Sequence, residues 1–386
     1  MLLLLVTTGS ATEPVPAAPS VRFTDLGAAV AFPDRIVFTL EAESTAPVVR
    51  VELRYRPILG RVTFVARPSF TPGTRIALRY ERDMRVNYLP PGIDIAYRWR
   101  FFFADGSWSD SPERTLAYVD DRYRWTQRTR GSIEVYSAVD DTRFIEAALA
   151  VTDEAVTTFS ERFAVSLQGP LRILLYPSPE ALRSALPVYS EEWIGGMAIP
   201  EYRLVLAGIV PGPGAQQELA RILSHEVLHL AIAQATDNPF SAPPAWLDEG
   251  LATAYQAVED PRLDAALERA REEGTLPSLR ALRGGFGTDP ERALLGYAAS
   301  RSVVQFILLT YGEDGVQRLL ATYREGVTDD EALHRSLGTT VDELDRAWKQ
   351  WLSERANTRS SSSAIGLALL GLAAVVAALV RRTRRR

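Results

Sequence analysis

Cysteine is absent from all 386 residues, and lysine occurs once, at Lys349. Without a thiol there can be no disulfide, no thiolate nucleophile and no cysteine-ligated metal. Histidine is nearly as scarce, with three in the whole chain. The 43 basic residues are outnumbered by 48 acidic ones, and five of the basic residues are crowded into positions 381–386. With that tail set aside, 38 basic residues face 48 acidic ones. A body that acidic lacks the clustered positive charge that nucleic-acid binding depends on, so no nucleic-acid partner is expected. The arginine-for-lysine bias is attributed to codon composition, and the scattered arginines are not read as sites. The remaining composition, 46% hydrophobic and 24% charged, is that of a folded protein long enough for two domains.

Both ends are apolar. Residues 1–19 open on Met-Leu-Leu-Leu-Leu-Val and continue into a proline-rich run, with Gly9 and Ala11 placed as small residues for cleavage. This is read as a signal-like segment and linker, although its apolar run is short and no basic residue precedes it. Residues 364–380 form an uncharged apolar run between a serine-rich linker (357–363) and the basic tail (381–386). At about 1.5 Å per residue the run spans roughly 25 Å, so it is expected to be a transmembrane helix. Positive charge is retained on the cytoplasmic side, which predicts a single-pass protein of the cell membrane with its body outside and its C-terminus inside.

Between the ends the pattern changes once. Residues 20–127 alternate apolar and polar with period two, as in Val49, Val51, Leu53, Tyr55 and in Ile93, Ile95, Tyr97, Trp99, Phe101, Phe103. Turn signals such as Pro72-Gly73 and Asp105-Gly106 separate the runs. Short strands at this spacing predict an N-terminal antiparallel β-sandwich, Ig-like or fibronectin-like, serving as a spacer or packing module. Residues 131–356 begin with mixed strand and helix patterns and become helical beyond Gln216, which predicts an α+β domain of two lobes with a cleft between them.

The chemistry is concentrated in residues 225–229, His-Glu-Val-Leu-His. They lie in a stretch free of glycine and proline, where positions i and i+4 share one helix face, so His225 and His229 can reach one ion. Zinc favours imidazole nitrogen and carboxylate oxygen, and a catalytic site keeps one position open for water. Glu226 is placed to act as general base toward that water. His334 has no metal-ligand spacing around it and is left out of the site. A third ligand is needed, and Trp246-Leu247-Asp248-Glu249-Gly250-Leu251-Ala252 offers two adjacent candidates. Together the two motifs resemble those of the gluzincin zinc metallopeptidases, in particular the aminopeptidase-N-like and thermolysin-like enzymes and the smaller peptidase MA-like domains. The resemblance implies Glu249, not Asp248, as the third ligand, and one Zn2+ per chain. It also implies a two-lobed zincin-like fold and a peptide or protein substrate. Gly250 is expected to let this segment approach the zinc helix closely.

Tyr297, in Gly296-Tyr297-Ala298-Ala299-Ser300 at the opening of a helix, matches the tyrosine that stabilises the oxyanion in aminopeptidase-N-like enzymes. One departure stands out. Where those aminopeptidases carry Gly-x-Met-Glu-Asn, this chain has Gly195-Gly196-Met197-Ala198-Ile199. The glutamate that would grip a substrate's free amine is missing, which puts aminopeptidase specificity in question and leaves cleavage within a chain open. The competing expectation is a cell-surface binding or adhesion protein that has lost catalysis and works through its β-sandwich. Intact ligands and an intact base argue for the enzyme.

Overall fold

The computed structural model describes residues 19–187 and 195–356. The signal-like segment, the apolar run 364–380 and the arginine tail lie outside the described residues, 19 apart. The chain divides into two compact units between Tyr123 and Arg124.

The first unit is antiparallel throughout. Its strands are β1 (Val21–Asp25), β2 (Ala28–Ala31), β3 (Arg35–Pro57), β4 (Phe64–Ala66), β5 (Gly73–Asp83), β6 (Ile93–Phe103), β7 (Trp108–Asp110) and β8 (Arg114–Tyr118). β3 runs for 23 residues and pairs with five others: β1, β2, β4, β5 and β6. Hydrogen bonding is therefore continuous through one eight-stranded sheet. The expected alternation holds over most of it, with Ile36, Phe38, Leu40, Leu53, Trp99 and Phe101 all fully buried. Val49 departs from it. The pairing of β3 with β6 shifts register between Val48 and Arg50, so Val48 is buried and Val49 is 44% exposed. A bulge inserts one residue and reverses which side chains face inward, and no periodicity count reveals where it falls.

The second unit begins with β9 (Thr126–Arg130) and β10 (Ile133–Ser137), followed by α1 (Thr142–Phe163) and β11 (Leu171–Tyr176). After the short α2 (Pro179–Arg183) come β12 (Gly196–Ile199) and β13 (Leu204–Gly208). The rest is helical: α3 (Ala215–Ala235), α4 (Ala245–Tyr255), α5 (Pro261–Glu273), α6 (Pro290–Tyr323), α7 (Asp329–Leu337) and a helix over 341–356. The sheet order is β12-β13-β11-β10-β9, with β10, β11 and β13 parallel and the two edges antiparallel. Because β9 pairs with β10, the boundary falls ahead of residue 127, where the patterning alone had set it.

α3 joins the two cores of this unit. Leu219, Leu223 and Leu230 pack with Val135, Ile173 and Val205 on the sheet. Leu228, Ala231 and Ile232 pack with Trp246, Leu251, Val303 and Trp348 among the helices. A helix apolar on two sides is held by both lobes, which fixes the remaining polar stripe between them. Among the described residues one helix, α6, is long and apolar enough to cross a membrane, but most of its apolar window is buried in the helical core.

Candidate metal centre

That polar stripe of α3 carries His225, Glu226 and His229. α4 runs back along it, with Asp248 and Glu249 beside His229 and Gln256 beside His225. Glu249 Oε2 lies 3.3 Å from His225 Nε2 and 3.4 Å from His229 Nε2, and the two imidazole nitrogens are 3.1 Å apart. Ligands about 2.0–2.1 Å from a common tetrahedral centre stand roughly 3.3 Å from one another. The three donors therefore fit a zinc-sized ion. Glu249 Oε2 is buried without a hydrogen-bond donor of its own, as a carboxylate oxygen reserved for a cation would be.

The electrostatics agree with that fit. Burial alone would lower the His229 pKa, but Asp248 and Glu249 outweigh it and hold the ring well above its ordinary value. Burial would raise Glu249, but His229 and His225 outweigh it and lower the carboxyl. The field at this point favours positive charge, whether a proton or a metal. Burial pushes Glu226 above its ordinary value, partly offset by His225 and His229.

Three supporting groups surround the donors. Asp248 Oδ1 lies 3.0 Å from His229 Nδ1, so the residue weighed as a rival ligand addresses the far nitrogen of a ligand ring. Gln256 Oε1 lies 3.2 Å from His225 Nδ1, and its amide donates to the Val258 carbonyl. Gln256 was not singled out from sequence. It is seven residues beyond Glu249, and only the antiparallel return of α4 brings it to His225. The third group is β12, whose Ala198 N–H donates to the Glu226 carboxylate. A Cβ on Gly196 would stand 2.7 Å from Glu226 Cγ and 2.6 Å from Ile222 Cγ2, so glycine there makes room for the base.

Two expectations are corrected. Gly250 does not mediate the approach of α4 to α3. A Cβ there would meet the Ser300 carbonyl oxygen at 2.5 Å and Val304 Cγ2 at 2.7 Å, so this glycine seats α4 on α6. Tyr297 does not open its helix, because α6 starts at Pro290, capped by Asp289, whose carboxylate accepts from the Arg292 N–H. Its ring nevertheless reaches the site, 6.3 Å from the His225 ring and edge-on to Phe286 at 5.0 Å. His334 is exposed near the end of α7 and belongs to no cluster of metal-ligating residues among the described residues.

The centre opens into a cleft of about 1140 Å³, lined from β12, α3, the 236–243 loop, α4, the start of α5 and the first turns of α6. The Peptidase MA superfamily model matches residues 151–354, which spans this whole arrangement. The chain belongs to the Peptidase MA superfamily. No curated protein matches it. Among solved structures it is similar to wild-type OgpA from Akkermansia muciniphila, at 16% identity and a TM-score of 0.22, over 27% of this chain and 29% of that one. Catalytically inactive OgpA, solved with an O-glycopeptide substrate, matches at 15% identity and a TM-score of 0.22, over 27% and 30%. Legionella pneumophila aminopeptidase A, solved with aspartic acid, matches at 14% identity and a TM-score of 0.38, over 81% of this chain and 47% of that one. The chain spans less than half the length of these solved proteins, and likenesses this faint carry no argument about activity.

Proposed function

We propose that the protein is a membrane-anchored, extracytoplasmic zinc metallopeptidase that hydrolyses peptide bonds. The observation that carries this reading is the convergence of two imidazole nitrogens and one buried carboxylate oxygen at 3.1–3.4 Å from one another. His225, His229 and Glu249 would hold the ion. Two histidines and a glutamate are a donor set for catalytic zinc, which leaves a position for water. When bound, the metal supplies Lewis acidity and lowers the pKa of water toward neutrality.

The protein groups divide the remaining work. Glu226 accepts the proton of the attacking water and delivers it to the departing amine. The Ala198 N–H and the space left by Gly196 fix where its carboxylate points. Asp248 and Gln256 orient the ligand rings from their far nitrogens. Tyr297 supplies a phenol at the cleft wall that can donate to the negative charge developing on the carbonyl oxygen. Ala198 stands where an aminopeptidase would present its amine-gripping glutamate, which favours internal cleavage.

The apolar run 364–380 followed by the arginine tail supports anchoring, and the retention of positive charge on the cytoplasmic side supports a body outside the membrane. The N-terminal sheet is read as an Ig-like spacer. The test is metal analysis with a protease assay on wild type, Glu226→Gln and His225→Ala. Glu226→Gln should retain about one zinc per chain and lose nearly all turnover, since an amide cannot accept the proton. Stoichiometric zinc in His225→Ala, or full turnover in Glu226→Gln, would refute the assignment.

A further inference from the structure

The two histidines of the centre are held from behind in different ways. His229 Nδ1 faces Asp248, which precedes Glu249 inside α4, so the regular hydrogen bonds of that helix carry both acids. His225 Nδ1 faces Gln256 Oε1 at 3.2 Å. Gln256 lies just past the end of α4 with an extended backbone (φ −60°, ψ 142°), so the helix no longer carries the chain onward. The next residue, Ala257, is exposed, so packing does not hold it either. Connections of this kind move more readily than the elements they join. A partner for His225 in such a place needs an anchor.

That anchor is Ser224, the residue before His225. It lies inside α3 and is 3% exposed. Its hydroxyl donates to the Ala220 carbonyl one turn back and accepts from the Ala257 N–H at 2.9 Å. Serine gains nothing for the helix at this point, since alanine is the better helix former and a hydroxyl bonded to the carbonyl four residues back tends to bend a helix. What it adds is a link from α3 to the chain leaving α4. Gln256 is then fixed in direction as well as in place. Its Nε2 donates to the Val258 carbonyl at 2.8 Å. A carbonyl oxygen only accepts, so the amide nitrogen must face Val258 and the amide oxygen must face His225. The amide oxygen likewise only accepts, so the His225 ring carries its proton on Nδ1 and keeps the Nε2 lone pair free. That Nε2 is the atom 3.1 Å from His229 Nε2 and 3.3 Å from Glu249 Oε2.

We infer that Ser224 is a positioning residue of the metal centre: by holding the Ala257 N–H it fixes Gln256, and through Gln256 it turns His225 Nε2 toward the ion. This rests on the metal centre proposed above. The test is the zinc affinity of the full-length protein in mild detergent, measured by competition with a chelator. Ser224→Ala removes one oxygen and leaves the best helix former in its place, so the fold is not at risk. It should still take up about one zinc per chain at saturation, with affinity about tenfold weaker, the scale expected when a partner of a ligand imidazole is disturbed. Gln256→Ala should lose about 10- to 100-fold. The double variant should be no weaker than Gln256→Ala alone, because residues that act in series do not add. Ser336→Ala is the control. Ser336 is also buried and donates to a carbonyl one turn back, in α7, and its loss should leave zinc affinity unchanged. A merely structural role for Ser224 would lower the unfolding midpoint of the metal-free protein and leave zinc affinity at the wild-type value. Wild-type affinity in Ser224→Ala, or losses that add in the double variant, would overturn the inference. A wild-type protein that binds no zinc would instead remove the metal centre, and the role of Ser224 with it.

Discussion

Each unit of the molecule takes glutamate oxygen out of water, and the two cases are satisfied in opposite ways. In the sheet unit Glu52 is 2% exposed, and its oxygens are met by Arg54 at 3.1 Å and Arg67 at 3.0 Å, with Arg50 at 3.8 Å. All its cations come from the protein. In the peptidase unit Glu249 Oε2 faces only the two imidazoles, with no arginine or lysine paired to it among the described residues. A buried carboxylate has to be paired or to coordinate a metal. Glu52 follows the first course and is structural. Glu249 has no such cation beside it, and its two imidazole neighbours leave the place that the proposed ion would fill. A self-contained ion cluster needs no access, whereas a metal and its substrate do.

The comparison breaks most sharply at Glu249. Glu249→Ala should strip the metal and abolish turnover, because two ligands rarely hold catalytic zinc. Glu52→Ala should leave metal content and turnover at wild-type levels. Metal analysis of the two purified variants checks this. Zinc retained in Glu249→Ala but lost in Asp248→Ala would exchange the roles of the neighbours.

Next in size is the space around the base. Gly196→Ala should keep the metal and lower kcat by about 10- to 100-fold, since displacing a reacting group by about 1 Å is enough for such a loss. Wild-type kcat in this variant would mean that Glu226 is not held by β12. Asp248→Ala should weaken metal affinity by about 10- to 100-fold without abolishing it, the usual effect of removing a partner from a ligand imidazole. Competition with a chelator measures it, and unchanged affinity would show that Asp248 does not orient His229.

These residues differ in how visible they were before the fold was known. His225, Glu226 and His229 were legible because their spacing on one helix is the geometry itself. Glu249 was legible only through its motif, since the alternative beside it is also a carboxylate. What separates the two is which ring nitrogen each meets, a consequence of how α4 lies on α3. Gln256 was hidden for the same reason. The role of Gly250 was misplaced because a glycine announces a close approach without naming the partner, here α6. In the sheet unit the buried faces of β3 and β6 were readable from alternation, but the bulge at Val48–Arg50 put Val49 outside. β9, with the sequence Thr-Gln-Arg-Thr-Arg, is almost wholly exposed and has no apolar face to read.

The smallest effect expected concerns Glu52 and has a definite sign in pH. Burial would raise the Glu52 pKa, but the hydrogen bonds from Arg54 and Arg67 outweigh it and hold the carboxyl below its ordinary value of 4.5. A group with a depressed folded pKa contributes stability above its unfolded pKa and loses it as pH falls through the folded one. Glu52 should therefore stabilise the sheet unit fully at neutral pH, and its contribution should fade as pH drops below about 4.5. Removing a buried charged acceptor costs about 1–3 kcal/mol, toward the lower end here because Arg67 and Arg50 remain largely solvated. Glu52→Gln should then lower the midpoint of denaturant unfolding of the sheet unit at pH 7, and the gap from wild type should narrow steadily toward pH 3. A gap that stays constant with pH would show that the loss comes from packing and not from the ion cluster, and the contrast with Glu249 would then rest on the metal alone.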